Sequence, residues 1–381
     1  MIPHLYIHIP FCEAKCHYCA FYSETSLSES EISHYHTLIA KEFQMRASRS
    51  SAVLDITPTT IYMGGGTPSL LGADGFKRLA ADLKRHINMD QLSEWSVEIN
   101  PSSATPALFD VMLEAGVTRI TFGVQSFNEP TLRLINRIHS AKKALAVIES
   151  AKKSGFNNIG VDLIAGLPGI TTALWKQDLQ QTLEVGPRHI SVYNLTLEPN
   201  TRLAQMVDAG LNLPDENTQL DHLREAELLL AKHGFQRYEI SNYALQGSEC
   251  QHNIGIWRGN SYLGLGPAAA SRIGRERIEN QPDYFNYKDH LQNNEMQPQN
   301  IETLSSQDDA LERAVFALRL HEGINPANLA LKFPPLATRV DEWNKTLHKL
   351  CRAGIVEETK SGMRLNERGR EVCDSVIREM I

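Results

Sequence analysis

The sequence lacks any long apolar run. Nowhere do its 381 residues approach the ~20 consecutive apolar residues that a membrane-spanning helix needs. Its start has no basic region ahead of an apolar stretch and no small-residue cleavage site of the kind that directs secretion. We therefore expect a cytoplasmic protein with at most peripheral membrane contact.

An excess of basic residues is also missing. The chain has 38 Lys and Arg against 45 Asp and Glu, which gives a formal net charge of −7. Proteins that bind nucleic acid through phosphates favour a basic surface, so nucleic acid is not expected as the main ligand. A content of 42% hydrophobic and 22% charged residues is typical of a globular protein of this length with two or three domains.

Cysteine is scarce, but half of it is concentrated in one short segment. Of six cysteines, Cys12, Cys16 and Cys19 lie within eight residues, in "YIHIPFCEAKCHYCAFYS" at residues 6–23. Disulfides rarely persist in a reducing compartment, so clustered thiols there indicate metal binding or chemistry.

Three interpretations of this cluster are open. Positions i, i+4 and i+7 could form a buried helix face, and a structural zinc site would need a fourth ligand such as His17, Cys250 or His252. Alternatively, three thiolates could hold a [4Fe–4S] cluster and leave one iron with an open coordination position. Pro10 and the aromatic neighbours Phe11 and Phe21 favour a loop over a helix, so we expect the iron–sulfur cluster.

Strand and helix patterns alternate from the start of the chain to His233. Short β-branched and aromatic stretches predict six strands, "HLYIHI", "TTIYM", "EWSVEI", "RITFGV", "NIGVDLI" and "HISVYNL". Amphipathic periodicity predicts helices at 31–48, 70–87, 105–115, 140–153, 172–184 and 216–233. Six consecutive βα units predict an α/β protein with a parallel sheet, closed or partly closed as a barrel. The pattern alone does not exclude a doubly wound sheet.

Polar residues and a glycine-rich turn fall where the predicted strands end. Functional residues of barrels sit on the loops at the carboxyl ends of the strands. The candidates there are Gly65, Gly66, Thr67, Glu98, Gln125, Arg137 and Asp162. We expect them to meet the cysteines at one ligand pocket.

The rest of the chain predicts a smaller α+β region and a terminal module. Between 235 and 290, "YEISNYA", "HNIGIW" and "YLGLGPAAAS" predict short extended pieces over the barrel mouth. From about 305 the pattern is helical, and two short strands and a helix follow, similar to a winged helix with a packing or docking role. We expect domains at 1–200, 201–300 and 301–381.

The motif C-x3-C-x2-C, with Tyr18 before the last cysteine, resembles the signature of the radical S-adenosylmethionine (SAM) superfamily. Further stretches, from "YIHIPFC" and "GGGTPSLL" through "GVQSF", "NRIHS" and "AGLPG" to "LTLEPNT", "YEISNYA" and "CQHN", resemble the family of oxygen-independent coproporphyrinogen III oxidases and HemW-type haem chaperones. The resemblance implies an open (βα)6 partial barrel in which Cys12, Cys16 and Cys19 bind a [4Fe–4S] cluster. It also implies a SAM site formed by Tyr6, Tyr18, Gly65, Gly66, Thr67, Glu98, Gln125, Arg137 and Asp162.

Within that family, the sequence is more similar to the HemW type. Oxidases carry a fourth cysteine where this chain has Phe21, and they have an extension ahead of the motif, whereas eleven residues precede Cys12 here. "HNIGIW" is similar to the H-N-x-x-Y-W haem-binding motif. This likeness implies haem as cargo, His252 as a candidate iron ligand and Trp257 as an apolar surface for the porphyrin.

The HemW resemblance also implies partners. These are haem-accepting proteins such as respiratory proteins, and an electron donor such as flavodoxin or ferredoxin, with the chain a monomer or homodimer. Two positions depart from the pattern: Ile256 replaces the usual tyrosine, and Ala270 replaces a histidine of many relatives. The alternative is an enzyme, an oxygen-independent coproporphyrinogen III oxidase or another radical SAM enzyme acting on a tetrapyrrole.

Overall fold

The computed structural model describes residues 2–49 and 56–381, and a sheet of 12 strands is its largest element. The strands of this sheet are β1 (Ile2–Ile9), β2 (Ile56–Gly65), β3 (Glu94–Ile99), β4 (Arg119–Gln125), β5 (Ile159–Ala165), β6 (His189–Asn194), β7 (Gln236–Arg237), β8 (Asn242–Ala244), β9 (Tyr262–Leu265), β10 (Ala270–Ile273), β11 (Glu276–Asn280) and β12 (Gln299–Thr303). A separate hairpin consists of β13 (Val356–Thr359) and β14 (Gly362–Leu365).

The helices alternate with the strands, singly or in pairs, as far as α8 and less regularly beyond it. They are α1 (Glu29–Arg49), α2 (Gly72–His86), α3 (Pro106–Ala115), α4 (Glu129–Leu134), α5 (Ala141–Ser154), α6 (Thr172–Glu184), α7 (Arg202–Asp208), α8 (Glu216–Lys232), α9 (Gln251–Trp257), α10 (Tyr284–Gln292), α11 (Ser306–Phe316), α12 (Pro326–Lys332), α13 (Val340–Arg352), α14 (Glu367–Glu371) and α15 (Cys373–Met380). The six strands and six helices predicted for the part of the chain up to His233 are all present, with ends close to the predicted ones.

Side-chain caps explain why several of these helices begin where they do. The hydroxyls of Thr105, Ser140 and Thr171 accept hydrogen bonds from backbone N–H groups three residues on, at the starts of α3, α5 and α6. Such caps satisfy N–H groups that have no partner inside a helix. Glycines in the left-handed region end two of them, Gly116 after α3 and Gly155 after α5.

The strand order identifies the sheet as a partial barrel. From β1 to β6 the strands are parallel, and each is hydrogen-bonded to the next in sequence. A doubly wound sheet reverses its order at a switch point, and this sheet does not. Because β12 and β7 stand at its two ends, the sheet is open, as predicted.

Side-chain alternation on β1 separates the core from the barrel interior. Leu5, Ile7 and Ile9 are fully buried in the hydrophobic core. The intervening residues point to the opposite face, because successive side chains of a strand alternate. Polar side chains on that face give the barrel a polar interior, and those at the carboxyl ends of the strands are available to a ligand.

Residues 235–303 extend both ends of the sheet. β8 and β7 continue it beyond β6, whereas β9 pairs in parallel with β1 and leads into the antiparallel strands β10 to β12. "YLGL" is therefore a strand of the main sheet and not a piece laid over the barrel mouth.

The extended conformation predicted for "HNIGIW" is wrong, because this segment is the helix α9. The carboxylate of Glu94, at the start of β3, accepts hydrogen bonds from the backbone N–H groups of Gln251 (2.9 Å) and His252 (3.1 Å). A carboxylate at the first turn stabilises a helix. The capping group belongs to a strand that is distant in the sequence, so local periodicity does not reveal it.

The terminal module has its own hydrophobic core, which includes Trp343, Leu347 and Val376. The main core extends from Ile2 to Leu291. The predicted hairpin is present, and the predicted final helix is divided into α14 and α15. The division at residues 200 and 300 stays a prediction. Within the described residues, no helix combines the length and apolar character needed to cross a bilayer.

Candidate functional site

The cysteine loop is closed at its base by backbone hydrogen bonds. The N–H of Glu24 donates to the carbonyl of Pro10 (2.6 Å), and the N–H of Cys12 donates to the carbonyl of Glu24 (3.0 Å). Residues 10–24 contain turns and bends but no helix, so the interpretation of the cysteines as a buried helix face is wrong. The loop follows β1 directly and lies at the carboxyl end of the sheet.

All three loop cysteines are partly exposed, so the loop is open to a ligand. Cys12 Sγ lies 3.6 Å from Thr67 Oγ1, and the Arg137 guanidinium donates to Cys16 Sγ (3.5 Å). Cation donors favour thiolate ligands. Burial raises the pKa of the Cys19 thiol, so metal binding there must displace its proton.

Two of the possible fourth zinc ligands lie elsewhere in the barrel. Cys250 donates to Glu94 Oε1, and His252 pairs with Thr60. In the part of the chain that the structure describes, no three His, Cys, Asp or Glu side chains are grouped to hold a single metal ion. The three thiolates of an iron–sulfur cluster bind separate irons and need not converge on one point.

A cavity of about 500 Å³ opens beside the cysteine loop, and we call it the cysteine-side cavity. All predicted cluster and SAM residues line it: Tyr6, Cys12, Cys16, Tyr18, Cys19, Gly65, Gly66, Thr67, Glu98, Gln125, Arg137 and Asp162. They come from strand ends and the loops that follow them. This volume is in the usual range for a small-molecule site.

The glycine-rich turn after β2 brings backbone close to the loop. A Cβ at Gly66 would lie 2.6 Å from the carbonyl oxygen of Phe11, and one at Gly64 would lie 2.8 Å from the Glu98 carboxylate. The N–H of Gly66 donates to the carbonyl of Ile9 (2.8 Å). Side chains at these positions would close the approach between the turn, the cysteine loop and Glu98.

Two buried carboxyl groups give the cysteine-side cavity its charge. Burial raises the pKa of Glu98 to about 7, although Tyr62, which donates to its Oε1 (2.8 Å), opposes the shift. Burial also raises the pKa of Asp162 to about 6. A cationic ligand beside these carboxyls would lower both pKa values and favour the ionised forms.

Unpartnered polar atoms in the same wall are suited to a polar ligand. Asp162 Oδ1 and Arg137 Nε are buried without a hydrogen-bond partner in the described structure. Such atoms are costly unless a ligand or water satisfies them. A carboxylate that accepts and a guanidinium that donates match the ammonium, hydroxyl and carboxylate groups of SAM.

A bulge in β4 directs Gln125 toward the cavity. The β4–β5 register shifts between Gly123 and Gln125, and Gln125 has a positive φ of 71°. Bulges near sites of function re-aim side chains, and a positive φ is uncommon for a residue other than glycine. The Arg137 guanidinium donates to the carbonyl of Gly123 and so supports this bend.

A second cavity of about 440 Å³ lies beside the first, and we call it the histidine-side cavity. Its wall includes His8, Tyr22, His252 and Tyr262. Tyr6, Ala20 and Phe21 line both cavities, so the two are neighbours with a shared wall. The two positions that depart from the haem-binding pattern, Ile256 and Ala270, also line the histidine-side cavity.

His252 and Trp257 have different surroundings although both belong to α9. His252 is 2% exposed, and burial lowers its pKa to about 3, so its imidazole is neutral. Trp257 lines neither of the two cavities. Its ring packs on Phe316 (centroids 6.0 Å apart) and on the Arg319 guanidinium (4.7 Å), in the terminal module. The expected porphyrin surface is therefore not formed by this residue.

Sequence reasoning missed several residues of the two cavities. Tyr62, Asn100, Tyr193 and Tyr262 contact the site or line it, yet none is among the residues predicted for the site. Strand alternation could have placed Tyr62 beside Glu98, because every second residue of β2 faces the barrel interior. Tyr262 had no such signal, since its strand pairs with β1 from a distant part of the sequence.

Comparisons with known proteins agree with this geometry. The model of the radical SAM superfamily matches residues 6–181, and the model of the HemN C-terminal domain matches residues 304–372. The haem chaperone HemW of Lactococcus lactis is 30% identical over 377 residues, which cover 99% of this chain and 96% of that protein. The chain belongs to the HemW family.

Other HemW family members show comparable similarity. The haem chaperone HemW of Bacillus subtilis is 30% identical over 373 residues and covers 97% of both chains. That of Haemophilus influenzae is 36% identical over 270 residues, which are 71% of this chain and 70% of its own. The family places the chain in the radical SAM superfamily, whose members use a [4Fe–4S] cluster and SAM.

One solved structure is similar over the whole chain. Coproporphyrinogen III oxidase (HemN) from Escherichia coli, described as a radical SAM enzyme, matches with a TM-score of 0.85. The match covers 100% of this chain and 90% of that one at 23% sequence identity. At this identity the likeness shows the fold alone. It agrees with the open parallel sheet and the terminal module described above.

Proposed function

We propose that this HemW family protein binds haem in the histidine-side cavity and a SAM-liganded [4Fe–4S] cluster in the cysteine-side cavity. The observation that carries the proposal is the adjacency of two cavities with different walls, joined through Tyr6, Ala20 and Phe21. Curated relatives that cover nearly the whole chain are haem chaperones by name, which supports haem as the cargo.

In the cysteine-side cavity, Cys12, Cys16 and Cys19 would hold the cluster. With three thiolate ligands, such a cluster supplies an iron with an open coordination position and a source of one electron. The chain's own residues orient the ligand: Glu98 and Asp162 accept hydrogen bonds, and Arg137 pairs with a carboxylate while it donates to Cys16.

The histidine-side cavity suits a large, flat ligand with a metal at its centre. His252 supplies a neutral imidazole, which is a common axial ligand of haem iron. Lys and Arg are absent from its wall within the described residues, and Glu279 is exposed at its rim. The propionates of a bound haem therefore have no cationic partner inside and would point toward solvent.

Delivery of haem completes the proposed function. Both ring nitrogens of His8 are hydrogen-bonded, to the Tyr6 hydroxyl and the Tyr22 carbonyl, so His252 is the imidazole available to iron. An open cavity with one such ligand would hold haem less permanently than an enclosed site with two, which suits transfer to haem-requiring proteins such as respiratory proteins. We further propose that the protein acts in the cytoplasm, as a monomer or homodimer. An electron donor such as flavodoxin or ferredoxin would serve its cluster.

The second candidate is a radical SAM enzyme that acts on a tetrapyrrole, most simply a coproporphyrinogen III oxidase. The shared wall favours this candidate, because only one side chain, that of Tyr6, would lie between SAM and a tetrapyrrole. Phe21 argues against it. This side chain stands at the place of the oxidases' fourth cysteine and is 72% exposed.

An anaerobic haem titration of the cluster-loaded protein, followed by the Soret band, tests the proposal. We expect saturation at about one haem per chain, with clearly weaker binding and a shifted Soret band in His252→Ala. His290→Ala is the matched control, because His290 lies on α10 outside both cavities. Absence of saturable binding by the unmodified protein would contradict the chaperone proposal, and turnover of coproporphyrinogen would then be measured.

A further inference from the structure

His252 stands at one end of a series of hydrogen bonds that links α9 to β2, to β1 and to the turn after α9. Its Nδ1 lies 2.8 Å from Thr60 Oγ1, and the same hydroxyl lies 2.8 Å from Nδ1 of His4. At the far end, the amide Nδ2 of Asn260 lies 3.2 Å from Nε2 of His4. The series therefore runs from Asn260 through His4 and Thr60 to His252, and we call it the relay.

The threonine and the two histidines of the relay belong to the protein core. Thr60 is 1% exposed, and both histidines are 5% exposed or less. A Cβ at position 255 would lie 2.1 Å from His4 Nε2, so only the glycine of α9 leaves room for His4. The ring of His252 is further held by Tyr62, whose centroid lies 5.2 Å away.

The direction of the hydrogen bonds decides which nitrogen of His252 carries its proton. If the Asn260 amide donates to His4 Nε2, then His4 donates from Nδ1 to Thr60, and the Thr60 hydroxyl donates to His252 Nδ1. His252 then carries its proton on Nε2, the nitrogen that is not engaged by Thr60. An imidazole nitrogen that bears a proton cannot bind a metal.

The reverse direction frees that nitrogen. When the Asn260 amide turns so that its oxygen accepts from His4 Nε2–H, Thr60 donates to His4 and accepts from His252 Nδ1–H. His252 Nε2 is then bare and can bind iron. The change gives no net uptake or loss of protons, because His4 gains a proton on Nε2 while His252 loses one there.

We propose that Thr60, His4 and Asn260 are positioning residues that set the tautomer of His252 and thereby the readiness of the histidine-side cavity to bind haem iron. This inference rests on the proposed haem site. Partners of a metal-binding histidine fix its tautomer and ring orientation, and their loss typically lowers metal affinity about 10- to 100-fold. When haem binds, an Fe–Nε2 bond forms and a water or buffer ligand leaves the iron, with no change of oxidation state.

Asn260→Asp tests the direction of the relay most sharply. A carboxylate only accepts, so it holds His4 with its proton on Nε2 and leaves His252 Nε2 bare. The variant removes the fraction of molecules in the blocked direction, and apparent affinity rises by the inverse of the competent fraction. We expect severalfold tighter binding of ferric haem at pH 8, where histidine is ordinarily neutral. Asn294→Asp, which adds the same charge in an exposed turn, is the control.

Thr60→Val removes the relay with little change of shape. We expect ferric haem to bind about 10- to 100-fold more weakly with a shifted Soret band, while Thr60→Ser, which keeps a hydroxyl, stays within a few-fold of the unmodified protein. Thermal unfolding reports any loss of folding in Thr60→Val. Asn260→Asp, at a half-buried position, keeps the test decisive if Thr60→Val does not fold.

The outcomes separate this inference from the proposed function. In one outcome, His252→Ala loses haem binding, whereas Asn260→Asp, Thr60→Ser and folded Thr60→Val all bind haem like the unmodified protein. This outcome contradicts the relay but keeps His252 as the iron ligand. If His252→Ala binds haem with an unchanged spectrum, His252 is not the ligand, and the proposed site itself fails. Tighter binding by Asn260→Asp, with the Soret band of the saturated protein unchanged, supports the relay.

Discussion

The two neighbouring cavities differ most in the charge of their walls. Glu98, Asp162 and Arg137 are charged groups of the cysteine-side cavity, and two of them carry unpartnered buried atoms. The buried wall of the histidine-side cavity offers neutral groups, since burial lowers the pKa of His8 to about 4 and that of His252 to about 3. One barrel mouth thus offers a polar site for a charged ligand beside a neutral site for a flat apolar one.

Loss of a loop thiol should remove the cluster from the cysteine-side cavity and leave haem binding in the histidine-side cavity. In Cys12→Ala we expect iron and sulfide to fall from about four of each per chain to near none, because two thiolates do not retain the cluster. Haem affinity should stay within a few-fold, since Cys12 lines only the cysteine-side cavity. Iron and sulfide analysis and a Soret titration measure the two sides.

Cys351→Ala is the matched control for this variant, because Cys351 lies on α13 in the terminal module. It should keep both the cluster and haem binding. Retention of a full cluster by Cys12→Ala, or an equal loss of haem binding, would contradict the separation of the two cavities.

Removal of one buried charge should weaken the binding of SAM without changing the binding of haem. Asp162→Asn replaces a carboxylate whose Oδ1 has no partner in the described structure. Hydrogen bonds to charged groups contribute about 1.5–3 kcal/mol, so we expect SAM to bind roughly 10- to 100-fold more weakly. Isothermal titration of SAM measures the effect, with exposed Asp110→Asn as control. Equal SAM affinity in both variants would remove Asp162 from the site.

A change of pH should have a smaller effect on the affinity for SAM. Burial raises the pKa of Glu98 to about 7 and that of Asp162 to about 6, so both are partly protonated at pH 6 and ionised at pH 8. Only the ionised forms balance a cationic ligand, so SAM affinity should rise about tenfold from pH 6 to pH 8. Glu98→Gln should flatten this rise. A fall in affinity over the same range would contradict the assigned roles.

The sequence predicts the charged cavity better than the neutral one. Each of its elements is local: a glycine-rich turn after β2, and Glu98, Gln125 and Asp162 on β3, β4 and β5. Because parallel strands end at one edge of a sheet, local strand prediction is enough to bring these residues together.

The neutral cavity depends on contacts that no local pattern contains. His252 meets Thr60 across 192 positions of the chain, and the helix that carries it is capped by Glu94, which lies 157 positions from Gln251. The extended prediction for this helix is wrong for that reason. Likewise, the pairing of β9 with β1, which brings Tyr262 to the wall, follows from tertiary packing and not from the composition of the strand.

Simultaneous occupancy tests the central claim most directly. Cluster-loaded protein saturated with labelled SAM is dialysed anaerobically against increasing haem, and both ligands are counted per chain. We expect about one haem to bind while SAM is retained, because the cavities share a wall but not a volume. Release of one SAM for each haem bound would show a single shared site and would contradict the account.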